Sequence, residues 1–313
     1  MGGVGGLTCP ACGGPLAPWR SVPASDPALP GMFALARCAA CGSAVTLGPA
    51  PPDAHATGAY AARDPRLARL AAPVLERFDR RRLALLQPFL APGAAVLDVG
   101  AGRGRFVAGA ARAGHAAHGI EPSRRGVEAA ARAGVALERA GWEDAVVAPG
   151  VLDAVCFWHV LEHLDAPGAA VQRAAGWLRP GGVVLVGVPN LDSWQAWVGG
   201  DRWYHLDVPR HRVHFTPRGV DALLRRAGLE PLRARHVLAE HNPFGLWQSA
   251  VSRATTTPSW LYHALKRNAP LRSRDAVITA AALPLAPVAA LAELAGGLAG
   301  RGGTIAVVAR LNA

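Results

Sequence analysis

The sequence predicts an α/β fold organised around a mostly parallel sheet. Three observations carry that prediction. Short apolar runs alternate with Ala/Arg-rich stretches of helical character from about residue 75 to 238, the pattern left by βαβ units. One of these runs, at 94–99, ends in Gly100-Ala101-Gly102-Arg103-Gly104, a turn tight enough to lead straight into a helix. About 20 residues past Gly100, the next run ends in Glu121-Pro122, an acid placed where doubly wound folds hold a ribose.

The elements follow in order. Residues 83–90 read as a helix ended by Ala91-Pro92-Gly93. A strand at 94–99 leads into a helix at 103–113, stopped by Gly114. A strand at 116–120 and a helix at 124–133, stopped by Gly134, repeat the unit. Then come a strand at 152–158, a helix at 168–178, a strand at 183–188, a helix at 217–227 and a strand near 232–238. Residues 303–311 read as the last strand. The expected division is a cysteine-bearing segment at 1–50, a linker at 51–74, the core at 75–239, a helical apolar insertion at 240–302 and a final strand at 303–313.

A chain of 313 residues, 51% of them apolar, has room for a large core with an appendage. Its net charge of +11 rests almost wholly on arginine, with Lys266 the single lysine. Such a balance suits nucleic acid, anionic lipid or acidic substrates. The longest basic run is Arg80-Arg81-Arg82, so the simpler reading is arginines spread over solvated helix faces. The N-terminus lacks the basic and apolar regions of a signal peptide, which places the expected location in the reducing cytoplasm.

Glycines in the 100–104 turn let the backbone approach a ligand without Cβ atoms in the way. The helix that follows offers free N–H groups to the carboxylate of an amino-acid-like ligand. Asp98 stands before the glycines, unlike the strand-G-x-G-x-x-G order of dinucleotide enzymes. The segment Val96–Phe106 therefore resembles the S-adenosylmethionine (SAM) motif of class I methyltransferases. The resemblance continues in order through Gly141-Trp142-Glu143-Asp144, Leu152-Asp153-Ala154-Val155, His159-Val160-Leu161-Glu162-His163, Leu178-Arg179-Pro180-Gly181-Gly182 and Val188-Pro189-Asn190. It implies a Rossmann-like class I methyltransferase sheet with the last strand antiparallel, and SAM as cofactor. It further implies cofactor contacts from Asp98, Gly100, Ala101, Gly102, Gly104, Glu121, Pro122, Trp142, Glu143 and His159. The family often has an acid where this chain has Gly141, which shifts the covering of the adenine to Trp142. Phe157-Trp158-His159-Val160 replaces the [DN]-P-P-[YFW] tetrapeptide of exocyclic-amine methyltransferases and argues against that chemistry.

Methyl transfer is an in-line displacement, so the protein must set the nucleophile about 3 Å from the methyl carbon and exclude water. A hydroxyl acceptor also needs its proton removed, a task suited to histidine. Candidates are His159, His163, His205, His211 and His214. The favoured base is His211, with Asp207 as its orienting partner, while His159 touches the cofactor. His159, Glu162 and His163 have the spacing of one helix face. A related E-x-x-E-H arrangement binds a divalent cation in some O-methyltransferases, but the first position here is histidine, and no catalytic cation is expected.

Cys9-x2-Cys12 and Cys38-x2-Cys41 are each followed by a glycine, Gly13 and Gly42, as in zinc knuckles. Four thiolates suit a closed tetrahedral zinc site, giving an N-terminal zinc-ribbon-like module. Cys156 lies within a strand and reads as a small apolar filler. The cysteine pairs and the segment Trp203–Thr216 resemble a bacterial subgroup acting on cell-surface polysaccharides and natural products. Ubiquinone-type O-methyltransferases are more distant kin. The expected acceptor is a small molecule or a glycan, including a lipid-linked one. RNA methylation is the alternative raised by a zinc module on a basic chain, but basic residues interleaved with exposed aromatics are missing. A non-catalytic partner-binding subunit is the other alternative. Residues 276–299 are nearly all apolar and are expected to form a helical hairpin that covers the site or touches a membrane or partner.

Overall fold

The computed structural model describes residues 6–51, 54, 57, 68–238, 240 and 242–312. Most of the linker expected at 51–74 lies outside the described residues. The chain opens with strands β1 (Leu16–Pro23), β2 (Met32–Cys38) and β3 (Ala44–Thr46). Helix α1 (Ala68–Leu86) leads through a 3-10 turn into β4 (Ala95–Val99), α2 (Arg105–Arg112), β5 (Ala116–Ile120) and α3 (Arg124–Arg132). Strand β6 (Leu152–Trp158), α4 (Pro167–Trp177), β7 (Leu178–Pro189) and α5 (Trp194–Gly199) follow. Next are β8 (Val213–His214), α6 (Pro217–Arg226) and β9 (Leu229–Arg235). The C-terminal part holds α7 (Asn242–Ser252), α8 (Trp260–Leu265), α9 (Ser273–Ala282), α10 (Ala286–Leu298) and β10 (Thr304–Leu311).

The main sheet has the order β5-β4-β6-β7-β10-β9. Strands β4 to β7 pair in parallel, and β10 runs antiparallel to both its neighbours. Alternate side chains of the central strands enter two cores. Leu97, Val155, Phe157, Val184 and Val186 meet α4 and α6 on one face. Val96, Ala154, Cys156, Val183 and Leu185 meet Leu83 and Leu86 of α1 and Phe106 and Ala110 of α2 on the other. Each fully buried valine or leucine contributes about 1.5–3 kcal/mol, which is why these strands read as unbroken apolar runs.

Several boundaries differ from the sequence reading. Strand β7 starts at Leu178 because Leu178 pairs with Leu152 ahead of the Gly181-Gly182 irregularity. Helix α2 starts at Arg105 because Gly104 is left-handed. Strand β9 begins at Leu229, where it pairs with Leu311. Between α3 and β6 the described residues hold a single parallel bridge, Ile120 to Glu138.

A second, antiparallel sheet has the order β1-β2-β3-β8. Its fourth strand, β8, comes from the histidine segment far along the chain. The cysteine-bearing segment is thus woven into the core region. Thr216 caps α6 by accepting from Gly219 N and donates to the Cys41 carbonyl at 2.6 Å. Val22, Leu35 and Ala44 pack on Trp203, Leu206 and Val208. Arg210, fully buried, donates to Asp26 and to the carbonyls of Ala54 and Thr57.

The apolar stretch expected to be a hairpin is instead one helical run of 26 residues, Ser273–Leu298. α9 and α10 do not lie side by side; α10 packs along α7 and α5. Pro284 and Pro287 occupy first-turn positions of the 3-10 step at Leu283–Leu285 and of α10, where no N–H is needed, so the run continues through them.

Asp26→Ala removes one of the two carboxylates facing the buried Arg210 guanidinium. It is expected to destabilise the protein by about 3 kcal/mol in urea unfolding. A change within 0.5 kcal/mol, on the order expected of a neutral surface substitution, would remove this ion pair as the tie between the N-terminal segment and the histidine segment.

Candidate active site

The carboxyl ends of β4, β5 and β6 converge on the glycine loop. Gly100 and Gly104 are left-handed, with φ of 71° and 72°. A Cβ at Gly100 would lie 2.5 Å from Val160, and one at Gly104 would lie 2.7 Å from Val135. Both glycines are therefore required by conformation and by packing. Gly102 is also left-handed, at 57°, but the space beside it is open.

Two acids hold this loop. Glu121 accepts from Gly102 N at 2.8 Å through one oxygen and from Ser123 N at 2.9 Å through the other. Burial raises its carboxyl above the usual range, although these two bonds oppose the rise. Asp98 points beneath the loop and is buried against Arg82 of α1. Burial pushes the Asp98 carboxyl up to about 6 against the pull of Arg82. Arg82 also donates twice to Cys156 Sγ, at 2.9 and 3.1 Å, and stacks 3.9 Å over the Phe106 ring. Burial pushes the Cys156 thiol up to about 12, so it serves as an uncharged acceptor as well as a filler.

Ala101 lies within the loop, its N bonded to the Ile120 carbonyl at 2.9 Å, and Pro122 is exposed just beyond β5. Trp142 is half-buried and packs against the α4 side of the core, while Glu143 is exposed. His159 ends β6 beside the loop in a left-handed conformation, φ 54°. That backbone costs on the order of 1–3 kcal/mol for a non-glycine residue, and such outliers concentrate at functional positions. Its Nδ1 lies 2.9 Å from Glu162 Oε1. Burial favours the neutral His159 imidazole, but Glu162 outweighs it and raises the pKa above the ordinary value. Burial works against the Glu162 charge too, yet His159, His163 and His211 hold its carboxyl below the usual range. The expected helix at this point is only a 3-10 turn, Leu161–His163.

Next to His159 opens a cavity of about 210 Å³. Its lining includes His163, His205, His211 and His263 with Tyr204, Tyr262, Asp207 and Arg210. His205 lies parallel to His159 at 6.2 Å, and His163 meets His211 edge-on at 4.7 Å. His211 Nδ1 lies 2.8 Å from the His205 carbonyl. A carbonyl only accepts, so Nδ1 carries the hydrogen and Nε2 holds the lone pair. Asp207 does not orient His211 as expected: its Oδ2 is 3.9 Å from Nε2, beyond hydrogen-bond range, because Arg210 takes the other oxygen at 3.1 Å. Arg210 and its histidine neighbours keep the Asp207 carboxyl below the usual range despite its burial. His214 turns away to Thr46, 2.9 Å from its hydroxyl, and burial pushes its pKa down to about 3.

Two groups could hold metal. Cys9 and Cys41 sulfurs are 3.7 Å apart, Cys12 and Cys38 3.4 Å, and all four lie within 4.8 Å of one another. Gly13 N and Gly42 N bond to the Cys9 and Cys38 carbonyls in two matching knuckles. Glu162, His163 and His211 also bring ligand atoms within 4.8 Å. His211 replaces His159 in the trio that the sequence spacing suggested, because β8 brings the histidine segment over the 3-10 turn. Tyr204, Tyr262 and His263 went unnoticed in the sequence, and Arg82, expected with Arg80 and Arg81 on a solvated helix face, is instead buried against Asp98 and Cys156. Arg82 sits four residues before buried Leu86, a spacing that places it on the inward face of α1. The other three carry no local signal.

The opposite shifts of His159 and Glu162 predict a pH window. The Glu162 contribution is present above the ordinary carboxylate value of 4.5 and is lost as pH falls through its depressed folded value. The His159 contribution is present below 6.5 and is lost as pH rises through its elevated folded value. Urea midpoints of wild type and Glu162→Gln should therefore differ most between about pH 4.5 and 6.5. A difference that stays flat from acid to alkaline pH would contradict the pairing.

A family model described as a methyltransferase domain matches residues 67–234, just over half of the chain. The chain is 32% identical over 164 residues to a ubiquinone biosynthesis O-methyltransferase of Ralstonia nicotianae, covering 48% of this chain and 68% of the relative. It is 31% identical over 156 residues to the like-named enzyme of Cupriavidus pinatubonensis, covering 46% and 63%. Among solved structures, a chain from the complex between the Haloferax volcanii Trm112 methyltransferase activator and a methyltransferase aligns with a TM-score of 0.52 at 15% identity, covering 79% of this chain and 94% of that one. The [4+2]-cyclase SpnF aligns with a TM-score of 0.50 at 20% identity, covering 75% and 80%. At such identities the structures establish the fold alone. The sequence family, the β5-β4-β6-β7-β10-β9 sheet and the glycine loop agree, and the chain belongs to the class I SAM-dependent methyltransferases, for which SAM is the expected cofactor.

Proposed function

We propose that this methyltransferase methylates a hydroxyl oxygen of a small-molecule or glycan acceptor held in the histidine cavity, with His211 as the base. The observation that carries the reading is the fixed tautomer of His211. Its Nδ1–H faces the His205 carbonyl, which leaves Nε2 ready to take a proton at the cavity wall. Asp207, 3.9 Å from Nε2, stabilises the positive charge that His211 acquires. The O-methyltransferases among the relatives support an oxygen acceptor.

SAM, when bound, supplies an electrophilic methyl group on a sulfonium. The open space at Gly102 and the second lone pair on each Glu121 oxygen suit its amino-acid and ribose parts. His159, held by Glu162 between loop and cavity, orients the acceptor hydroxyl. Half-buried Tyr204 and buried His205 exclude water from that side.

We further infer that Cys9, Cys12, Cys38 and Cys41 hold a structural zinc ion. Tetrahedral Zn–S bonds of about 2.3 Å put sulfurs roughly 3.8 Å apart, close to the 3.4 and 3.7 Å found here. The hydrogen bond between Cys9 and Cys41 lowers the Cys41 thiol and raises that of Cys9, so the pair shares a proton that a zinc ion would displace. Through β3 and β8 this centre steadies the strand next to His211.

With labelled SAM and a panel of phenols, sugar nucleotides and lipid-linked glycans, His211→Asn should lower kcat by about 10²–10⁴-fold and leave SAM affinity unchanged in calorimetry. Full turnover by this variant would end the base assignment. Turnover that depends on added divalent cation would reassign His211 as a ligand beside Glu162 and His163. Metal analysis of the purified protein should find about one zinc per chain, absent in Cys38→Ser. A metal-free wild type of unchanged stability would exclude the structural ion.

A further inference from the structure

The helical run Ser273–Leu298 is long and apolar enough to cross a membrane by length and composition, yet only 11% of its most apolar window is buried. One flank is committed to the protein. Trp247 Nε1 donates to the Ala282 carbonyl, and Gly296 lies against Trp194. The opposite flank exposes Leu283, Leu285, Val288, Leu291, Leu294 and Leu298. Trp197, 84% exposed on α5, stands one helical turn from Trp194 beside this surface.

The exposed charge carried by this stretch of chain has one sign. Residues 265–301 contain two acids, Asp275 and Glu293, and both are buried. Asp275 accepts from Thr256 N and Thr257 N, and Glu293 accepts from Gly303 N and Gln195. Of the basic residues of the same stretch, Arg267, Arg272, Arg274 and Arg301 are exposed at its two ends, while Lys266 is half-buried over the Tyr262 ring. An apolar strip ended by arginines, with its carboxylates withdrawn, is complementary to an anionic phospholipid surface.

We propose that α9 and α10 dock this protein on the face of an anionic bilayer, lying in the plane of the interface. The run does not cross it. Upstream, Trp260 and His263 of α8 are buried in the protein; downstream, β10 enters the middle of the main sheet. A rod of 26 residues, about 39 Å long, is pinned at both ends to one globular body. The inner flank of the rod is linked to the cavity by packed side chains. Tyr204 on the cavity wall meets Phe244, Phe244 meets Trp247, and Trp247 bonds to the junction of the rod. Resting on the acceptor assignment above, the inference deepens it: the acceptor arrives from the bilayer, as a lipid-borne hydroxyl compound.

Co-sedimentation with vesicles of equal parts phosphatidylglycerol and phosphatidylcholine tests the docking without any turnover. Wild type should pellet with these vesicles, and about tenfold less with phosphatidylcholine alone or in high salt. Leu285→Glu/Val288→Glu/Leu291→Glu, all at exposed positions, should lose binding by at least about tenfold. Its unfolding midpoint and SAM affinity should be unchanged, which certifies the fold. Wild type left in the supernatant, or a triple variant that still pellets, would overturn the proposal. So would a wild-type dimer in analytical ultracentrifugation that the triple variant abolishes, since the face would then be covered by a second copy. A failed methyl-transfer panel with intact vesicle binding would count against the acceptor assignment and leave the docking in place.

Discussion

The guanidinium of Arg210 is the point on which the site is assembled. It is fully buried and reaches Asp26 from the N-terminal sheet, Asp207 from its own segment, and the carbonyls of Ala54 and Thr57. A buried charge costs several kcal/mol unless it is paired and hydrogen-bonded, so these segments must close around it together. Asp26 also accepts from Asn268, just beyond α8, which draws the C-terminal helices into the same arrangement. The cavity is the space left between the parts so joined. Its walls come from sequence regions as distant as Ser25, His159, Tyr204 and His263.

A second buried arginine does comparable work under the cofactor loop. Arg82 satisfies Asp98 and Cys156 at once and is stacked on Phe106, so α1, β4, β6 and α2 are fixed relative to one another. The loop above is then held from the side by Glu121 and by the packing of Gly100 on Val160. The residue after Val160 begins the 3-10 turn that carries Glu162. The two centres therefore meet at Glu162, whose charge is shared among His159, His163 and His211. Loop and cavity are coupled through a few angstroms of rigid structure, as in-line transfer between two ligands requires.

The C-terminal helices illustrate how composition misleads. Hydropathy from 276 to 299 is carried largely by alanine, and the stretch reads as a helical hairpin. Instead Pro284 and Pro287 fall where a helix tolerates them, and both acids of the helical run 273–298 face inward as hydrogen-bond acceptors. An insertion that reads as uniformly apolar is in fact two-sided, with one flank on α7 and α5 and one flank outward.

The sequence by itself determined the sheet, the loop and the class of cofactor. Those features rest on local order: apolar runs for β4, β6 and β7, glycines at left-handed positions, and an acid at the end of β5. It also paired Cys9 and Cys12 with Cys38 and Cys41, because each knuckle is a local turn. The tertiary structure alone decided the histidine cavity. The partner of His211 is a main-chain carbonyl, which has no signature in side-chain spacing, and Asp207 was drawn off by an arginine whose burial depends on Asp26. His211 joined Glu162 and His163 because β8 became the fourth strand of the N-terminal sheet. Such pairings between distant segments are set by which buried charges must be matched, and adjacency along the chain does not encode them.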